Sequence, residues 1–168
     1  SVAKVGGDTQ EGRMIYTNFL DDDGGVHADL TISRLGSDSY RIVTGGADGN
    51  RDWVTLRNYR DDTGLDADIN IRTHDIATLG LWGPEAKNAL GHFVDPNEIS
   101  IENFPFVTAK HLTLNLSGGK KVDVWAARIS YVGESGWELY LNNDSEDGLA
   151  LYDSLLEVGV VPVGIETY

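Results

Sequence analysis

Apolar residues recur at every second position through the first part of this chain. In Met14 to Leu20, Ile15, Thr17 and Phe19 alternate with Tyr16, Asn18 and Leu20, the period of a half-buried strand. The DDDGG turn at Asp21 to Gly25 precedes a second strand from Val26 to Leu35, where Ala28, Leu30 and Ile32 face one way and His27, Asp29, Thr31 and Ser33 the other. A turn at Gly36 to Ser39 leads to a third strand, Tyr40 to Thr44. Consecutive strands joined by short turns predict an antiparallel meander.

The period then changes. Gly45 and Gly46 break the alternation, and Asp48 is placed to cap a helix reaching about Asp62, with Trp53, Leu56 and Tyr59 on one face. Ala67 to Arg72 and Ile76 to Trp82 read as strands hinged at Thr73 to Asp75. Gly83-Pro84 opens a short helix with Ala86, Ala89 and Leu90 on one side and Gly91 as its stop. Asp95 to Glu102 reads as an irregular connector. Val107 to Leu116 and Lys121 to Ser130 are predicted strands around the Ser117-Gly118-Gly119 turn. The stretch RISYVGESGWELYL, Arg128 to Leu141, predicts a strand, a glycine turn and another strand. Ser145 would cap a last helix with Leu149, Tyr152, Leu155 and Leu156 on one face and Glu146 and Asp147 near its positive end. Locally paired strands with helices inserted between them predict an α+β fold, antiparallel sheets with flanking helices. The chain, 1–168, reads as one functional region, with a seam near Phe104 separating lobes 1–103 and 104–168.

Composition narrows the function. A net charge of -14 and a sequence pI near 4.4 argue against nucleic acid or an anionic membrane as partner, both of which call for clustered Lys and Arg. The absence of cysteine excludes a disulfide framework and a thiolate nucleophile or ligand, and fits a cytoplasmic protein. A start at Ser1 without Met and a stop at GIETY lead us to expect a piece excised from a longer polypeptide.

Carboxylates are the best candidates for chemistry. Asp29 follows the Gly24-Gly25 turn on a strand, where it could bind a proton-bearing nitrogen or act as a base. Position alone favours a solvent-facing residue bonded to a neighbour. Glu138 falls inside a strand, where burial demands a hydrogen-bond partner; a ligand bearing N–H donors would satisfy it. His27 and Asp29 sit at i, i+2, but no third ligand has metal-site spacing, so no metal is expected. The Asp21-Asp22-Asp23 run lacks the rest of a calcium loop. The glycines at 45, 46 and 49 lack the Lys-Ser/Thr pair of a phosphate-binding loop. Of the four tryptophans, Trp137 is the one to consider as a stacking platform.

Tyr131, Gly133, Glu134, Gly136, Trp137 and Glu138 together resemble the Y-x-G-E-x-G-[YW]-E signature of the aminomethyltransferase family. These folate-binding proteins include the glycine-cleavage aminomethyltransferase and the C-terminal parts of dimethylglycine and sarcosine dehydrogenases. Gly24, Gly25 and Asp29, in GGVHADLT, match the family's Gly-Gly turn and the acid that lies against the folate, in a form closer to the dehydrogenase branch. Tyr16 matches a folate-contacting tyrosine, and Gly83-Pro84-Glu85-Ala86 the family's G-P-x-A helix opening. The resemblance implies a tetrahydrofolate-binding region that takes a one-carbon unit from a small N-methyl or aminomethyl donor. It implies Asp29 as the base and Glu138 as acceptor for the pterin's N–H edge, with Tyr16 and Tyr131 lining the ring. Gly45 takes a cofactor-binding position where the family often carries Asn, and Ser33 one where glycine-cleavage enzymes tend to have Tyr. In the dehydrogenase branch a flavin domain, with FAD outside this chain, would oxidise the amine. The alternative is a folate-binding regulatory or scaffold module without catalysis.

Overall fold

The computed structural model describes residues 10–143 and 146–164. They fall into two compact units that divide after Thr73. The first is built on a three-stranded antiparallel meander, β1 (Met14–Leu20), β2 (Val26–Arg34) and β3 (Tyr40–Thr44), followed by helix α1 (Gly49–Thr63). The Gly-Gly turn has a local cause. Gly24 takes φ +85°, and a Cβ on Gly25 would lie 2.6 Å from Asp21 Oδ2. The Asp21 carboxylate also accepts from the Gly25 and Asp23 backbone N–H groups at 2.6 and 3.1 Å, an Asx-type turn that sets the entry to β2.

Helix α1 buries an acid rather than the expected aromatic stripe. Trp53 and Leu56 are half-buried and Tyr59 is exposed, whereas Asp52 is 2% exposed. Its carboxylate accepts from the Thr44 hydroxyl at the end of β3 and from Arg51 Nε at 3.1 Å, so a polar knot ties helix to sheet. Asp48 stands at the N-cap position but makes no side-chain cap bond; it pairs with Arg51 at 3.1 Å instead. Residues 67–72 form no strand. Ile69 and Ile71 are their only large apolar residues and Ile71 is exposed, too little to hold a half-buried ladder.

The second unit carries a four-stranded antiparallel sheet in the order β4-β7-β6-β5: β4 (Ile76–Trp82), β5 (Thr108–Asn115), β6 (Lys121–Arg128) and β7 (Gly136–Asn142). Short helix α2 (Ala86–Leu90) and α3 (Asp147–Glu157) complete it. Alternation sends Leu112, Leu114, Val122, Val124, Trp137, Leu139 and Leu141 into one core with Ala86, Ala89 and Leu90 of α2 and Leu151 and Leu155 of α3. The face of α3 differs from expectation. Leu149, Tyr152 and Leu156 are exposed, and Leu151, Ser154 and Leu155 point inward. Both sets satisfy helical spacing and share Leu155, and the inward one includes small, buried Ser154. The expected cap, Ser145, lies outside the described residues.

The connector near Phe104 is part of this unit's core and not a seam. Phe104 is 1% exposed, and Arg128 donates to its carbonyl at 2.7 Å and to those of Ser100 and Ile99 at 3.3 and 3.4 Å. Lys110 does the same for Glu98 and Asn103 at 2.7 and 3.3 Å. Burial pushes both cations below their ordinary pKa range, opposed by Glu102 for Arg128 and Glu98 for Lys110. Trp137, beneath this clasp, is fully buried with the Arg128 guanidinium 5.1 Å from its ring; it is core, not a stacking platform.

Candidate functional site

β1 and β2 pair with Asn18 opposite Asp29 and Tyr16 opposite Thr31. Tyr16 and Asp29 are therefore diagonal neighbours on one sheet face, within reach of a long side chain. The Tyr16 hydroxyl donates to Asp29 Oδ2 at 2.8 Å, and both residues are exposed. An exposed carboxylate with one oxygen held by a phenol retains another for a proton-bearing nitrogen. One bulged position along β2, His27 meets Thr55 of α1, Nε2 to Oγ1 at 3.3 Å. Gly45 follows β3, and a Cβ there would stand 3.1 Å from Asp48 Oδ2, so the acid occupies the space beside it.

In the second unit Glu138 stands on β7 with Gly80 of β4 and Ala127 of β6 as cross-strand neighbours. It is half-buried, and its partner is internal: the Tyr140 hydroxyl donates to Glu138 Oε2. A carboxylate two residues from a tyrosine on a strand shares its face, a signal present in the sequence. Trp82 is the other residue that sequence reasoning missed. Its indole lies so close over Gly80 and Gly136 that a Cβ on either would come within 2.3 and 2.5 Å of it. Its Nε1 donates to the Ile129 carbonyl at 3.0 Å, while Gly83 N–H reaches the Ser135 carbonyl at 2.9 Å. These bonds pin both ends of a loop, 129–135, whose first residues, to Tyr131, are expected from the sequence to continue the strand and whose glycines are expected to turn. Ile129 leaves the ladder because its carbonyl serves Trp82, and Tyr131 is 75% exposed on that loop.

The structure thus brings Tyr16 to Asp29, and gives Glu138 a partner in Tyr140; Tyr131 and Gly45 lie on separate loops. Asp29 and Glu138 belong to different units. Among the described residues no group of three His, Cys, Asp or Glu is placed to hold a metal ion.

Comparison with known proteins matches residues 3–168 to the model of the GCVT N-terminal domain. The chain is 32% identical over 143 residues to human mitochondrial dimethylglycine dehydrogenase, covering 85% of this chain and 16% of that protein. It is 31% identical over 160 residues to the aminomethyltransferase of Halothermothrix orenii, covering 93% and 41%. The chain thus spans less than half the length of these relatives. Among solved structures, the glycine cleavage system aminomethyltransferase T of Bartonella henselae has the same fold, with a TM-score of 0.65 at 21% identity over 88% of this chain and 36% of that one. With the family model matched over nearly its whole length, this chain belongs to the GCVT N-terminal domain family of the aminomethyltransferases.

Proposed function

We propose that this chain binds tetrahydrofolate and serves the transfer of a one-carbon unit from an N-methyl or aminomethyl donor, within a longer protein akin to the dimethylglycine and sarcosine dehydrogenases. The observation that carries the reading is the Tyr16–Asp29 bond, 2.8 Å on an open sheet face. The acceptor chemistry fits the group. A reduced pterin presents N–H donors along one edge, and Asp29 and Glu138 are carboxylates reached by solvent and already oriented by phenols.

When bound, tetrahydrofolate supplies the nitrogen that takes up the one-carbon unit. Asp29 accepts the proton that this nitrogen gives up, and Tyr16 holds Oδ2 so that the carboxylate keeps one orientation while it does so. Glu138 accepts from the pterin's N–H edge, and Tyr131 adds an aromatic surface. In a protein of the dehydrogenase type, oxidation of the amine belongs to a flavin domain outside this chain.

Asp29→Asn in the protein that carries this chain should leave the fold and folate affinity largely intact and slow one-carbon transfer by about 100-fold or more. Transfer at the original rate would remove Asp29 from the mechanism. A binding module without catalysis is favoured by one feature. Gly45 offers a ligand no side chain, and Asp48 fills the space beside it. That reading expects folate binding without transfer before any substitution is made.

A further inference from the structure

Glu138 has three rotatable side-chain bonds; of its cross-strand neighbours Ala127 offers only a methyl group and Gly80 no side chain, the space over Gly80 being taken by the Trp82 indole. The carboxylate is nonetheless engaged. Tyr140, two residues on along β7 and only 8% exposed, donates its hydroxyl to Glu138 Oε2. The tyrosine is itself held in place. It pairs with Trp125 across the β6–β7 ladder and with Thr78 across the β4–β7 ladder. Trp125, 7% exposed, meets His111 of β5 edge to face at 4.8 Å between ring centroids.

We infer that Tyr140 is the positioning residue for Glu138, a phenol anchored in the sheet that fixes one carboxylate oxygen and presents the other to a ligand's N–H donor. Fixing a flexible acceptor before the ligand arrives removes ordering that binding would otherwise have to impose. The inference rests on the folate reading proposed above, because Glu138 must be the acceptor for its orientation to matter. It makes a separate claim. The effect of Tyr140 on binding runs through Glu138 and not through packing.

The test is a double-mutant cycle read by calorimetric titration of 5-formyltetrahydrofolate into the protein that carries this chain, as the original protein, Tyr140→Phe, Glu138→Gln and the double variant. Phe fills the ring's volume without the hydroxyl, so the fold is retained, and thermal melting confirms it. Tyr140→Phe should weaken binding about tenfold, the effect of one hydrogen bond to a charged group. Glu138→Gln should weaken it at least as much, and adding Tyr140→Phe to Glu138→Gln should change nothing further. Equal losses from Tyr140→Phe in both backgrounds, or no loss in the original background, would overturn the positioning role while leaving the folate reading in place. Unchanged affinity in Glu138→Gln would overturn the folate-acceptor reading, and this inference with it.

Discussion

Each of the two units holds a carboxylate beside a tyrosine, yet the surroundings differ. Asp29 stands in the open on a meander whose buried apolar residues, among those described, are Met14, Ala28 and Leu30. Glu138 stands on a sheet whose opposite face is packed by a continuous cluster from Leu81 to Leu155, with a clasp of cations over the connector. Antiparallel ladders run through both, with one bulge between Phe19 and Leu20 in the first. The difference is apolar burial, which supplies most of the favourable free energy of folding. A proton-transfer residue gains from the first setting, where water and ligand reach it. A recognition residue gains from the second, where its partner is fixed.

That contrast predicts a graded set of outcomes. The largest belongs to Trp137→Ala, which empties the centre of the second unit and should lower stability by about 4 kcal/mol in guanidinium unfolding. Gly136→Ala follows. Its Cβ would lie 2.0 Å from the Leu81 carbonyl oxygen, a backbone atom that has no room to yield, and a loss of about 3 kcal/mol is expected in the same assay. In the first unit the most sensitive site should be polar. Asp52→Ala leaves the Thr44 hydroxyl without its acceptor and detaches α1 from β3, costing about 2 kcal/mol. A larger loss from Leu30→Ala than from Asp52→Ala would break the comparison, since it would make apolar packing dominant there too.

Smaller effects sharpen the contrast at the carboxylates. Tyr16→Phe removes an exposed bond and should change stability by less than about 1 kcal/mol, while measurably slowing transfer, because Asp29 loses its orientation. Smallest is the acid response of Glu102. Its backbone N–H and the Ser100 hydroxyl hold its carboxyl below the usual range against desolvation, with Lys87 and Arg128 adding smaller pulls. A carboxyl lowered on folding stabilises the protein above its unfolded pKa and loses that contribution as pH falls through the folded value. Melting temperatures followed from neutral pH to below pH 4 should therefore converge for the original protein and Glu102→Gln. A gap that widens on acidification would contradict the assignment.

The meander was legible because two signals coincide there: apolar alternation between Met14 and Thr44, and turns whose glycines and aspartates have local reasons to bend. Helix α2 was legible from Gly83-Pro84 and Gly91 for the same reason. What failed was choice among equivalent patterns. On α3 the expected and the packed stripes share Leu155, and only the packed core selects Leu151 and Ser154 over Leu149, Tyr152 and Leu156. The strand expected to continue through Tyr131 ends at Arg128 because Trp82, distant in sequence, takes the Ile129 carbonyl. For the candidate carboxylates, sequence reading singled out Asp29 and Glu138 but not the hydroxyls that bond to them. Tyr140 lies on Glu138's face by alternation alone, but a hydrogen bond depends on side-chain rotamers that period does not specify.

The most direct measurement is calorimetric titration of a stable reduced folate into the protein that carries this chain, beside its Glu138→Ala variant. Saturable binding that falls at least tenfold in the variant is the predicted result. Absence of saturable binding, or binding equally tight in both, would contradict the account.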